Sequence, residues 1–314
     1  MLPFRRGEPE PPAFRAALAP PRTGRFAIAS DFQRTSRAEV WRESNEKERA
    51  IILEAIAREE PELLLMLGDL VFCGSSASDW KDFDTLAAPI REAGIPVLAV
   101  PGNHEYWVSP RAGLRNFHAR FPLLEERRWH ARSWGPLHLL LLDSNPRFLS
   151  SALWEEQAKW YAAEIERADR DPDTRGTLVL LHHPPYTNSS VTSDELHVQR
   201  FFVPPFQAAR KTLAMLSGHV HSYERYERGG KTFLVTGGGG GPRIRLETGS
   251  RQRHRDDLFA GPAVRFFHYL MAALTPGGIE FEMRGLRKGE KRFETMDRFR
   301  LPWPEPAGGA KSTC

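Results

Sequence analysis

The chain of 314 residues is 40% hydrophobic and 27% charged with a formal net charge of +4, which describes a globular protein with a large core and excludes disordered, fibrous or strongly basic nucleic-acid-binding classes. Its two cysteines, Cys73 and Cys314, exclude a disulfide framework and suit a reducing compartment. The N-terminus carries Arg, Glu and Pro where a secretory leader needs an apolar run, and no stretch reaches membrane-spanning length, so a cytoplasmic location with no membrane partner is expected.

Residues 1–24 hold six prolines and predict an extended lead-in rather than a packed element. A single domain is expected over 25–300, with a flexible tail over 301–314. The first strand starts near Phe26. A helix over 45–58 places Ile52, Ala55 and Ile56 on one face, and Pro61 stops the chain before the next strand, Leu63 to Leu67. Residues 79–93 read as helix interrupted near Pro89, and Gly94-Ile95-Pro96 leads into a strand ending at Val100. After an irregular stretch over 106–134 come a strand over 137–142 and a helix marked by Trp154, Ala158, Tyr161, Ile165 and Ala168 at steps of four and three. Strands follow over 177–181, 213–216 and 232–236, the last ended by five glycines, Gly237 to Gly241. Two more, over 266–274 and 279–283, are split by the turn Pro276-Gly277-Gly278.

Five strands end in polar clusters: Asp31, Gly68-Asp69, Gly102-Asn103-His104-Glu105, His182-His183 and Gly218-His219-Val220-His221. Ligands of open α/β sheets collect at carboxyl ends of strands, and Asp, Asn and imidazole are donors for hard or borderline first-row ions. Two such ions sit roughly 3.5–4 Å apart across a shared group, and Asp69, after the most apolar strand, suits that bridge. Asn103 supplies a neutral amide oxygen and leaves its neighbour His104 for proton transfer, while His219 and His221 alternate by two and can each face one ion. A Gly-Asp or Gly-Asn pair is also an ordinary turn, so the weight lies in five compatible clusters.

These clusters, with His182-His183-Pro184-Pro185-Tyr186 and Gly218-His219-Val220-His221-Ser222-Tyr223-Glu224-Arg225 written out, resemble the five motifs of the calcineurin-like metallophosphoesterases over residues 25–241. The long last motif and the later glycine run are most similar to the purple acid phosphatase-like branch. The resemblance implies a four-layer α/β/β/α sandwich, in which two mixed β-sheets pack face to face between helices with the site on loops at one edge. It implies two divalent or mixed-valence ions, Asp31 and His221 on the first, Asp69 bridging, and Asn103, His182 and His219 on the second. His104 would contact the phosphate or protonate the leaving group, oriented by Glu105 or Asp143, while a metal-bound hydroxide attacks phosphorus in line. Tyr186, His197, Tyr223 and Arg225 could line a phosphate pocket, and His183 either packs or touches substrate.

Two positions depart from the family. Gln33 stands where most relatives have His, and Phe72 where purple acid phosphatases have the tyrosine that binds ferric iron. Phenylalanine cannot ligate, and Gln33 offers only a neutral amide oxygen, so manganese or ferrous iron is favoured at the first site, with zinc possible. The basic stretch Arg243, Arg245, Arg251, Arg253, His254 and Arg255 could receive a polyanion, or is simply solvated. The expected function is dinuclear phosphomonoester hydrolysis on a small phosphate ester. The alternatives are a phosphodiesterase acting on a cyclic nucleotide or other small diester and a non-catalytic binding protein with a degraded first site. Nucleic acid is not an expected partner, and one sequence fixes no oligomeric state.

Overall fold

The computed structural model describes residues 10–36, 41–122 and 128–305; the expectations for 1–9 and 306–314, Cys314 included, lie outside them. Among the described residues, twelve strands form two sheets of six. In the first sheet, β1 (Arg25–Ala29), β2 (Leu64–Met66) and β3 (Val97–Ala99) run parallel, and β10 (Phe267–Thr275), β11 (Gly278–Leu286) and β12 (Phe293–Pro302) extend the other edge antiparallel, in the order β12-β11-β10-β1-β2-β3. In the second, β5 (Leu137–Leu141), β6 (Gly176–Leu180), β7 (Thr212–Ser217) and β9 (Lys231–Thr236) are parallel. The edge strands β4 (His130–Trp134) and β8 (Tyr223–Arg228) close it antiparallel, in the order β4-β5-β6-β7-β9-β8.

Side chains alternate across a strand, and that alternation sorts the apolar residues into layers. From β1, Phe26 and Ile28 point between the sheets, where they join Leu65, Leu139, Leu180, Leu216, Leu234 and Phe281. Ala27 and Ala29 point outward instead, onto α1 (Glu46–Glu59), α2 (Ala77–Leu86) and α3 (Ala88–Glu92). On the other sheet Leu140, Val179, Met215 and Phe233 meet α5 (Ser151–Arg170), α6 (Leu196–Phe201) and α7 (Val203–Ala208) through Trp154, Tyr161, Phe202 and Phe206. The outcome is the expected α/β/β/α sandwich. Phe26 against Trp134, with ring centres 5.7 Å apart and edge to face, is one of the contacts that seat sheet on sheet.

Several elements were not legible in the sequence. Within 106–134 lie α4 (Pro110–Arg120), capped by Ser109 with Pro110 in its first turn, and β4, whose HARSW sequence carries too few apolar residues to show a period. β8 and β12 are edge strands that alternate with charge, and α6 and α7 are short helices separated at Phe202, shortly before two prolines. The lead-in expectation is corrected. Residues 10–24 form no helix or strand, yet Phe14 is buried and stacked on Phe121 at 5.1 Å, because the edge of the first sheet leaves an apolar face to cover. At the other end β12 runs to Pro302, and Trp303 Nε1 donates to Thr275 O at 3.0 Å, so the chain stays docked beyond the expected boundary at 300.

Candidate metal centre

Because β1, β2, β3, β6 and β7 are parallel within their sheets, the segments after them gather at one end of the sandwich. Asp31, Asp69, His219 and His221 all have positive φ, at 63°, 53°, 70° and 48°. They are four of the six non-glycine residues of this kind among the described residues. Such backbone costs on the order of 1 kcal/mol each and persists where surrounding contacts enforce it. The glycines of the motifs make room: a Cβ on Gly102 would overlap the Asp69 carboxylate, and one on Gly218 would overlap Ser30 and Asp31. The glycine run after β9 wraps the Asp31 loop, with Gly239 N donating to Ser30 O at 2.8 Å and Gly241 N to Asp31 O at 2.7 Å.

One group of donors is Asp31, Asp69 and His221, whose ligand atoms lie within 4.8 Å of one another. His221 donates from Nδ1 to Pro242 O at 2.7 Å, which leaves Nε2 facing Asp31 Oδ1 at 3.4 Å. Gln33 joins it, with its amide nitrogen 2.7 Å from His221 Nε2 and 3.3 Å from Asp69 Oδ2, while its Oε1 is buried without a partner among the described residues. Rotating that amide by half a turn would present the oxygen to the same space, so the position suits a weak ligand.

A second group is His182, His183 and His219. His182 donates from Nδ1 to Leu67 O at 2.7 Å and aims Nε2 at Asp69 Oδ2, 3.3 Å away, and at Asn103 Oδ1, 3.2 Å away. His219 Nδ1 is buried and has no partner among the described residues, an orphaned ring nitrogen of the kind a cation satisfies. His183 is also near, but Ser144 Oγ is 3.1 and 2.9 Å from the backbone nitrogens of His182 and His183, so both its lone pairs are engaged. Its hydrogen therefore goes to His183 Nδ1 at 3.0 Å, which fixes a neutral imidazole protonated at Nε2 and unsuited to ligation. Imidazoles held by carbonyls, carboxylates and an amide oxygen fit two hard or borderline cations, and Asp69 lies against both groups.

The charges reflect this crowding. Burial pushes the Asp69 carboxyl up, but the His182 and His104 imidazoles outweigh it and hold Asp69 below the usual carboxylate range. Burial likewise opposes charge on His182, yet Asp69 carries its pKa to about 9. His219 is pushed down to about 3 by burial and by the charge of His182.

His104 donates from Nδ1 to Phe72 O at 2.6 Å and stacks on Trp107 at 3.7 Å, which leaves Nε2 as the exchangeable position, 3.8 Å from Asp69 Oδ2. Burial lowers its pKa. The first cavity, about 250 Å³, is bounded by Gln33, Asp69, Phe72, Asn103, His104 and His219 among others. Glu105, expected to orient His104, instead holds backbone: Oε2 accepts from Asp69 N at 2.9 Å and Gly102 N at 2.6 Å, and Oε1 from Leu70 N at 2.8 Å. Burial and then Asp69 push its carboxyl up to about 7. Asp143 does not reach His104 either; it accepts from Tyr106 and from Asn145 Nδ2 at 2.8 Å.

The four tentative substrate contacts lie elsewhere. Tyr223 is buried between the sheets with its hydroxyl donating to Asp297 Oδ2 at 2.8 Å, and Arg225 Nε donates to the same oxygen at 2.9 Å. These two residues of β8 clamp one sheet to β12 of the other. Tyr186 packs on Phe233 beneath Arg228, and exposed His197 pairs with Glu195 at 3.1 Å. Much of the basic stretch is engaged: Arg243 forks onto Glu43 at 2.8 Å, Arg251 pairs with Glu247, Arg253 donates to Thr187 and Ser189 carbonyls, and His254 meets Asp194. Sequence reasoning missed Ser144, whose hydroxyl organises both histidines, and Arg49, which is buried and donates to Phe32 O at 2.6 Å to support the Asp31 loop. A hydroxyl beside Asp143 and an arginine in a helix give no signal of either role.

The family model described as calcineurin-like phosphoesterase matches residues 24–223. Purple acid phosphatase 1 of Ipomoea batatas is 31% identical over 143 residues, which are 42% of this chain and 29% of that protein. A probable cyclic nucleotide phosphodiesterase of Synechococcus is 28% identical over 188 residues, 59% of this chain and 68% of that protein. Among solved structures, a purple acid phosphatase from yellow lupin seeds superposes with a TM-score of 0.65 at 16% identity, covering 92% of this chain and 55% of that one. A dimetal phosphatase from Danio rerio gives 0.60 at 16%, covering 90% and 99%. These likenesses show the shared fold, and the chain spans less than half the length of the plant purple acid phosphatases it matches in sequence. No helix among the described residues is long and apolar enough to cross a membrane. With its motifs gathered at one end of the sandwich and the family model spanning most of the chain, this protein belongs to the calcineurin-like phosphoesterase family.

Proposed function

We propose that the chain is a metal-dependent phosphohydrolase with two adjacent ions, acting on small phosphomonoesters. The observation that carries this is the position of Asp69, whose Oδ2 lies 3.3 Å from His182 Nε2 in one donor group and 3.3 Å from the Gln33 amide in the other. Asp31, Gln33, Asp69 and His221 would hold one ion, and Asp69, Asn103, His182 and His219 the other. Two cations there would supply positive charge to the phosphoryl oxygens and acidify the attacking water. The chain's own part is positional. His104, with Nδ1 tied to Phe72 O, presents Nε2 to the first cavity, where it can bind a phosphoryl oxygen or pass a proton to the departing oxygen. Glu105 fixes the loop that carries Asp69.

Phe72 and Gln33 support manganese or ferrous iron at the first position, because neither supplies an anionic or imidazole donor. The second reading is a diesterase, favoured by the same two substitutions and by a further cavity that adjoins the first. Hydrolysis of an aryl phosphate and of a bis-aryl phosphate, each with added manganese, separates the two. Faster turnover of the monoester is expected; a bis-aryl preference would assign the diesterase, and no turnover of either by a metal-loaded chain would favour a binding protein.

A further inference from the structure

Beside the metal-donor groups lies a second cavity of about 290 Å³ that shares Asn103, Trp107 and His219 with the first and extends past His183 to Phe148. Its aromatic wall is rigid. Phe148 stacks on Tyr106 with ring centres 4.7 Å apart and 5° between planes, and Tyr106 is held in turn by Asp143. Trp107, stacked on His104, offers a second aromatic surface.

His183 distinguishes this cavity from a plain cleft. Its Nδ1 accepts from Ser144, so Nε2 carries the proton, and that N–H makes no hydrogen bond among the described residues although the residue is only 6% exposed. Because His183 lines the cavity and no protein group accepts from that N–H, it is free to donate to a ligand seated there. The residue lies between His219 of the metal-donor group, with ring centres 4.5 Å apart, and the cavity it lines.

We infer that this cavity is the leaving-group subsite, which takes a planar aromatic group bearing a hydrogen-bond acceptor, with His183 Nε2 as its donor. Both a nucleobase and an oxygen-substituted aryl ring have that chemistry. The inference rests on the phosphohydrolase reading and narrows its substrate class. With the phosphoryl group at Asp69, Asn103 and His104, the rest of the ester can cross Asn103 and His219 into the neighbouring space. There a flat ring meets Phe148 and Trp107, and an acceptor on its edge satisfies His183.

The test is calorimetric titration of the manganese-loaded full chain with inorganic phosphate, the non-hydrolysable 5′-methylenephosphonate analogue of adenosine 5′-monophosphate, and 4-nitrobenzylphosphonate. One of the two planar ligands is expected to bind about tenfold more tightly than phosphate, and which one does so identifies a nucleobase or an aryl source. In His183→Leu that advantage should shrink about fivefold to tenfold with metal content unchanged, and His183→Gln, which keeps an N–H near the same place, should recover most of it. Planar ligands no tighter than phosphate, or an advantage untouched in His183→Leu, would overturn the inference. Equal loss of phosphate affinity and metal in that variant would also overturn it, placing His183 with the metal-donor groups. Failure of all three ligands to bind a metal-loaded parent chain would bring down the phosphohydrolase reading itself, and this one with it.

Discussion

Glu105→Gln isolates the support of the metal centre from the ligands themselves. The Glu105 carboxylate is fully buried and accepts three backbone N–H groups, two on Oε2 and one on Oε1. Glutamine keeps the size of the side chain but only one accepting oxygen. If that oxygen takes the Asp69 and Gly102 amides, the Leu70 N–H faces an amide NH₂, leaving a buried donor unsatisfied at about 1–3 kcal/mol. Relief of burial and of the repulsion from Asp69, which push this carboxyl up to about 7, offsets the weaker acceptor on the remaining two bonds, so the total stays at about 1–3 kcal/mol. For a chain of 314 residues that is a fall in Tm of roughly 2–5 °C. The loop carrying Asp69 at a φ of 53° relaxes as well, so manganese affinity should drop about tenfold. Scanning calorimetry of the metal-free variant reads the first effect, and metal content after dialysis against limiting manganese reads the second. A Tm within about 1 °C of the parent together with undiminished manganese would refute the reasoning.

His268 is buried against Thr236, its ring nitrogens at hydrogen-bond distance from Thr236 Oγ1 and Phe266 O, and burial pushes its pKa down to about 4. The unfolded chain binds that proton near pH 6.5 and the folded chain does not, so stability is full above about 6.5 and falls toward pH 4, by on the order of 3 kcal/mol. Urea midpoints across that range should show the loss, and His268→Gln should flatten it; an unchanged slope would assign the loss to other groups. Phe72 lines the first cavity with Asp69, so the parent loaded with ferric iron should show no tyrosinate-to-iron absorption, whereas Phe72→Tyr should gain a visible band. A colourless ferric Phe72→Tyr would mean that this side chain does not reach the iron.

What the sequence disclosed followed from one physical signal, a buried parallel strand ending in groups that apolar burial would reject. That signal locates Asp31, Asp69, Asn103, His182, His219 and His221, which the fold brings to one end of the sandwich. It does not separate a group that faces the centre from one that faces away. Tyr223 and Arg225 belong to the same motif as His221, yet the start of β8 carries them into the inter-sheet clamp on Asp297. Glu105 and Asp143 were expected to orient His104, but the Asp69 amide that Glu105 holds and the Tyr106 hydroxyl that Asp143 holds are contacts 30 or more residues apart in sequence. The edge strands β4, β8 and β12 escaped because edges carry charge rather than apolar runs.

The central claim is that one carboxylate, Asp69, ties two neighbouring donor groups into a site for a pair of ions. Metal analysis of the manganese-equilibrated chain, repeated on Asp31→Asn and Asp69→Asn, addresses it most directly. Two ions per parent chain, one in Asp31→Asn and loss of tight binding at both positions in Asp69→Asn is the predicted result. A parent that takes up a single ion, or an Asp69→Asn variant that still holds two, would contradict it.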